Sequence, residues 1–187
     1  YASVRAEVTP SVRVAANAKL ARLVTATSVG DGKTKDAVKT ETTCAPSYQP
    51  DGTIYNGSTY TGDNTYNTTG SDQSYEQTVA PGATATYHAR FYNDGNLAQS
   101  LRITGTPGNS KWTVKYLDYS TGADSTAAVT GAGWTTASLS PGGAWRVKVL
   151  VTPGASVGPG GVLPWLLTGI LLRRIHGGGA RESVSYT

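Results

Sequence analysis

Thr84-Ala85-Thr86-Tyr87-His88-Ala89-Arg90-Phe91 decides the fold. In an extended chain Ala85, Tyr87, Ala89 and Phe91 fall on one side, and Thr86, His88 and Arg90 on the other. Side chains alternate between the two faces of a sheet, so this pattern describes an antiparallel strand with one face buried and one wet. The same alternation recurs further along. Leu101 and Ile103 alternate with Ser100, Arg102 and Thr104. Trp112, Val114 and Tyr116 alternate with Thr113 and Lys115, and Trp145, Val147, Val149 and Val151 with Arg146 and Lys148. Tyr87, Phe91, Trp112, Val114, Trp134, Trp145, Val147 and Val149 are the expected core anchors.

The punctuation agrees with strands. Asn93-Asp94-Gly95-Asn96 reads as a turn whose residues tolerate positive φ, and Thr106-Pro107-Gly108-Asn109 reads as another. Pro81-Gly82 and Pro141-Gly142-Gly143 each precede a strand. Turn signals at this spacing predict an all-β sandwich. Composition points the same way. Tyr outnumbers Phe 11 to 1, Met is absent, and charged residues are 15% of the chain, below the roughly 25% of an average domain. No amphipathic helix of useful length is expected. Residues 45–75 carry Tyr48, Tyr55, Tyr60, Tyr66 and Tyr75 among Gly, Asn, Asp and Thr. They read as a loop-rich lead-in lying over the sandwich, with short strands at best.

The chain also repeats part of itself. Val8-Thr9-Pro10 and Val151-Thr152-Pro153 open stretches of nearly equal length that run to 43 and to 187. Residues 1–44 are therefore read as a partial repeat, and 45–187 as one full repeat. The tail departs from the pattern. Where the first copy has Leu23-Val24-Thr25-Ala26-Thr27-Ser28-Val29, an ordinary strand, the second has the apolar run Val162-Leu163-Pro164-Trp165-Leu166-Leu167 and its continuation to His176. Two readings stay open for 163–178: a strand buried on both faces, or a local shift of reading frame. The run is too short to span a membrane.

The sequence from Tyr87 to Asn96, then Trp112-Thr113-Val114-Lys115-Tyr116, Gly131-Ala132-Gly133-Trp134, Leu139-Ser140-Pro141-Gly142 and 147–153, resembles the Ig-like β-sandwich repeats of large bacterial cell-surface and secreted proteins. The resemblance covers 48–153, with 8–43 as a partial second copy. It implies an Ig-like antiparallel β-sandwich with an additional amino-terminal β segment, in an extracellular or cell-surface setting. It implies no catalytic residues. A chain opening on Tyr1 suits a processed, exported protein.

The residues offer little chemistry of their own. His88 and His176 are far apart, and no His, Cys or carboxylate cluster has zinc spacing. There is no nucleophile elbow and no phosphate loop, so no enzyme is expected. The single Cys44 cannot form an internal disulfide. The net charge of +4 gathers toward the two ends without the basic and aromatic interleaving of a nucleic-acid surface. Calcium could sit at Asp31-Gly32-Lys33-Thr34-Lys35-Asp36, or among the loops of Asp51, Asp63 and Asp72. Solvated turns are the preferred reading of both. Asn56-Gly57-Ser58 and Asn67-Thr68-Thr69 are candidate glycosylation sites, at Asn56 and Asn67.

The preferred function is a structural subunit of an extracellular filament. The segment 1–44 is the candidate donor strand, through Leu20, Arg22, Leu23, Val24, Ala26 and Val29. It would add to the sheet of the next copy, giving a head-to-tail homopolymer. A variant takes the chain as a window on a longer tandem repeat. The alternative is a carbohydrate- or surface-binding module, using Tyr55, Tyr60 and Tyr66 to stack on sugar rings.

Overall fold

In a computed structural model, residues 3–11, 13–158 and 167–171 are described, the last five for their backbone alone. The strands are β1 (Lys19–Thr27), β2 (Lys35–Thr43), β3 (Pro50–Tyr55), β4 (Tyr60–Thr61), β5 (Ala85–Asn93), β6 (Leu101–Gly105), β7 (Trp112–Asp118), β8 (Trp134–Thr135), β9 (Ala144–Pro153) and β10 (Leu167–Leu171). Among the described residues there is one short helix, α1 (Thr126–Thr130), between β7 and β8. The protein is all-β, and its strand pairs are antiparallel.

Three sheets form. β1 and β2 make a two-stranded sheet by themselves. A five-stranded sheet runs β4-β3-β5-β9-β7, and a three-stranded sheet runs β10-β6-β8. The two larger sheets share one core. In β5 every second residue is buried: Ala85, Tyr87, Ala89, Phe91 and Asn93. The register sets Tyr87 opposite Val149 and Ala89 opposite Val147, and Tyr116 opposite Val149, so these side chains share a face. Leu101 and Ile103 of β6 are fully buried against them, and Val129 of α1 closes one end.

The tryptophans lie at the margin of this core. Trp112, Trp134 and Trp145 are partly buried and pack on the cluster. Trp134 of β8 stacks on Trp145 of β9 with ring centroids 4.2 Å apart and planes 25° apart, which ties the two sheets together at the margin of the core. The Trp145 indole N–H donates to Asp118 Oδ2 at 3.0 Å. Indole presents an apolar body with one polar edge, and a rim satisfies both.

Residues 45–75 differ from the expected lead-in. β3 is an interior strand of the five-stranded sheet, between β4 and β5. Pro50, Asp51 and Gly52 spell a turn by composition, yet they pair with Asn93, Tyr92 and Phe91 of β5. Tertiary pairing overrides local propensity here. Gly52 permits it, because a Cβ there would stand 3.3 Å from the Phe91 ring. Two of the expected turns do use positive φ, at Gly82 (+81°) and Gly142 (+75°). Gly95 does not: it is needed for space, since a Cβ would collide with the Ser47 carbonyl oxygen.

Candidate functional site

Among the described residues the two strands of the amino-terminal hairpin contribute no side chain to the core cluster of the sandwich. β1 and β2 pair over nine residues each, from Lys19 opposite Thr43 to Thr27 opposite Lys35. The strands form because Leu, Val and Thr favour extended backbone. The turn forms because Asp31 caps it. Its Oδ1 accepts the main-chain N–H of Lys33 at 2.9 Å and of Thr34 at 3.0 Å, and its Oδ2 accepts the Thr34 hydroxyl. Gly32 supplies the left-handed residue at φ +63°. The Thr34 hydroxyl, then the two amides, hold the Asp31 carboxyl down at about 2. This carboxylate is committed to the turn, as the solvated-turn reading of 31–36 expects.

Cross-strand partners share a face, so the register sorts the hairpin into two sides. Leu20, Arg22, Val24 and Ala26 lie on one side with Asp36, Val38, Thr40 and Thr42. Leu23 lies on the other with Lys39, flanked by Ala21 and Glu41 and by Thr25 and Ala37. Val24 stands directly opposite Val38, making an apolar centre on the first side. Leu23 is 65% exposed and Val38 63%. The Lys19–Glu41 ion pair at 2.9 Å is exposed and contributes under about 1 kcal/mol. A lone two-stranded hairpin is marginal in water, and its exposed Val24–Val38 pair on one face and Leu23 on the other are left uncovered.

The donor-strand expectation needs two corrections. The segment is not a single unpaired strand, because β2 already occupies one edge of β1. The sequence signal for β2 was the alternation of Val38, Thr40 and Thr42 with Lys39 and Glu41, muted by its polar content. Second, the strand stops at Thr27. Val29, fully exposed, belongs to the turn that Asp31 closes.

A polar clamp fixes the foot of the hairpin. Asn17 donates its N–H to the Cys44 carbonyl at 2.8 Å, and Cys44 donates to Ala18 at 2.9 Å. The sandwich reaches up through Asn96, which is only 9% exposed. Its side-chain oxygen accepts the Ser47 N–H at 2.7 Å, and its amide donates to the carbonyls of Ala45 at 3.0 Å and Val14 at 3.2 Å. Its own carbonyl accepts the Ala16 N–H at 3.1 Å. Cys44 is a free, half-buried thiol within this clamp.

In the three-stranded sheet β10 pairs with β6, with Leu171 opposite Leu101 and Leu167 opposite Gly105. Counted from the two Val-Thr-Pro triplets, β10 falls level with 24–28, overlapping β1 from Val24 to Thr27. The same repeat position is thus a hairpin strand in one copy and a sheet-edge strand in the other. The rest of 163–178 lies outside the described residues.

The remaining candidates are dispersed. Asn56 is half-buried, and its Oδ1 caps the β3–β4 turn by accepting from Ser58 and Thr59. Asn67 is exposed, with its Nδ2 donating to the Ser71 carbonyl at 2.8 Å. Tyr55 and Tyr60 touch, with centroids 5.4 Å apart, and the Arg90 guanidinium lies 3.4 Å over the Tyr60 ring. Tyr66 instead shares its hydroxyl between Asn64 and Asp94. His88 is half-buried on the outer face of β5, edge-on to Tyr119 at 5.3 Å. Burial, then the Lys148 charge, lowers its pKa. Among the described residues no group of three or more His, Cys, Asp or Glu closes on a point that could hold a metal ion. No helix among them is long and apolar enough to cross a membrane. In comparison with known proteins, no family model, no curated protein and no solved structure matches this chain.

Proposed function

We propose that this protein is a structural subunit of an extracellular filament or surface fibre. Its sandwich is of the Ig-like repeat kind, and its amino-terminal hairpin adds to the sheet of the next copy. One observation carries the reading. β1 presents exposed apolar side chains, Leu23 on one face and Val24 beside Val38 on the other, at the repeat position that β10 fills on β6. β6 already carries its own chain's β10 on that edge, so a neighbour's β1 would add there by taking β10's place. Main-chain hydrogen bonds would supply the affinity, and the alternating side chains the register. Donor and acceptor lie on different parts of the chain, so the contact is heterologous and propagates rather than closing into a dimer.

The reading differs in one respect from simple strand addition. The incoming element is a hairpin, so β2 would extend the acceptor sheet by a further strand. Electron microscopy of the purified protein should show filaments, and deletion of 1–44 should leave soluble monomers with a folded sandwich. Filaments persisting after that deletion would overturn the proposal.

A further inference from the structure

The outer face of the five-stranded sheet carries its charges in an arrangement that folding alone would avoid. Arg90 of β5 stands directly opposite Arg146 of β9, and His88 directly opposite Lys148. Like charges set across a strand pair repel and destabilise it. Lys115 of β7 lies on the same side, since its neighbours Val114 and Tyr116 are buried in the core. Among the described residues none of these cations forms an ion pair. Asp51, on the same side, is buried opposite Tyr92, and Asp124 lies at the edge of the sheet, bridged to Leu117. The Arg90 Nε and the His88 Nδ1 are buried without a hydrogen-bond partner, a further cost to the fold. Proteins that break such local rules do so chiefly where they bind something.

Aromatic rings frame the cations. The Arg90 guanidinium lies 3.4 Å over the Tyr60 ring, and that of Arg146 lies 5.6 Å from the Tyr119 centroid. His88 stands edge-on to Tyr55 at 6.4 Å and to Tyr119 at 5.3 Å. Beside Tyr119 a cleft of about 360 Å³ opens, lined by Asp118, Tyr119, Ser120, Ala144, Trp145 and Arg146. Tyr119 is 41% exposed, and Arg146 is exposed. The Asp118 oxygens are taken up by Ser120, Thr121 and Trp145, so Arg146 sets the charge that a ligand meets there. Aromatic walls beside a guanidinium suit a sugar ring bearing a carboxylate. The ring packs on the apolar surface, and the carboxylate takes a charge-assisted hydrogen bond.

We infer that this face binds an acidic polysaccharide, with one carboxylated sugar in the cleft of Tyr119, Trp145 and Arg146 and further carboxylates on Lys148 and Lys115. An anionic polymer relieves the repulsion that the opposed cations impose on the sheet. The rings select among anionic polymers. A single-stranded nucleic acid needs open ring faces on which bases stack. Here a guanidinium covers the Tyr60 ring, and Tyr55 and Tyr119 meet His88 at 69° and 76°, so no flat platform is presented.

Titration calorimetry of the full chain tests this with three probes of equal length: oligogalacturonate, a neutral maltooligosaccharide and oligothymidylate. Oligogalacturonate should bind, the neutral sugar should not, and oligothymidylate should bind more weakly. Arg146→Gln with Lys148→Gln should weaken oligogalacturonate binding about tenfold or more. The same pair should leave Tm equal or higher, because repulsion is relieved. Tyr119→Ala keeps every charge and should also weaken binding. Lys33→Gln with Lys35→Gln removes the same charge from the exposed hairpin turn and should leave binding unchanged. Absence of oligogalacturonate binding, equal binding of the neutral sugar or tighter binding of oligothymidylate would each overturn the site. So would full affinity in Tyr119→Ala, an equal loss from the hairpin pair, or a lower Tm in the Arg146 and Lys148 pair. The filament proposal is judged separately, on the deletion of 1–44.

Discussion

Asn96 and Asp118 show what a single polar side chain does in this fold. Asn96 satisfies three main-chain groups from the two segments of the hairpin foot, at Val14 and at Ala45 and Ser47. Its sequence context, Asp-Gly-Asn, marks a turn and is silent about those partners, which are distant in sequence. Asp118 closes the turn after β7, accepting from the hydroxyls and amides of Ser120 and Thr121 and from the Trp145 indole. The Ser120 hydroxyl foremost, with Thr121 and Trp145, holds its carboxyl well below the usual carboxylate range. A depressed carboxyl pKa adds stability that is present above the unfolded value and is lost as pH falls through the folded one. Asp118→Asn should therefore cost about 1–2 kcal/mol near neutral pH, and less below about pH 3. Chemical denaturation of both chains at the two pH values checks this; a gap that stays constant with pH would assign the role of Asp118 to shape rather than charge.

At the scale of elements, legibility followed the contrast between faces. β5 and β9 were readable because one side is apolar and the other carries Thr, His, Arg and Lys. β3 was not, because Pro50-Asp51-Gly52 spells a turn and only pairing with β5 makes it a strand. The candidate site was half legible. Leu20, Val24 and Ala26 could be placed on one face by alternation, but β2 and the Asn96 clamp depend on long-range contacts that periodicity does not encode. Among the described residues no hairpin side chain belongs to the core cluster of the sandwich, whose buried members come from β3, β5, β6, β7, β9 and α1. Replacing Val24 and Val38 together by Thr preserves β propensity and removes the apolar centre. The thermal transition of the sandwich should shift by no more than about 2 °C, within the range of surface substitutions, while assembly is lost. A large fall in Tm with assembly intact would mean the Val24–Val38 pair serves the subunit's own stability.

For the whole molecule the decisive quantity is the register between copies. If one subunit's β1 takes the place that β10 holds on β6, the repeat count sets Val24 opposite Gly105, Ala26 opposite Ile103 and Thr27 opposite Arg102. Antiparallel partners stand about 4.5–5.5 Å apart at Cα, within the reach of a disulfide. With Cys44→Ser removing the native thiol, Thr27→Cys combined with Arg102→Cys should yield a ladder of covalent oligomers under oxidation. A slip of one residue would turn every donor side chain to the opposite face and bring Ala26 or Ser28 opposite Arg102 instead. Ala26→Cys with Arg102→Cys is therefore the control, and it should give a far fainter ladder. Non-reducing gels of both pairs read the result. A ladder from the control alone would move the register by one. Filaments that cross-link through neither pair would place the hairpin on some other surface, and the correspondence between β1 and β10 would then be a relic of repetition rather than the rule of assembly.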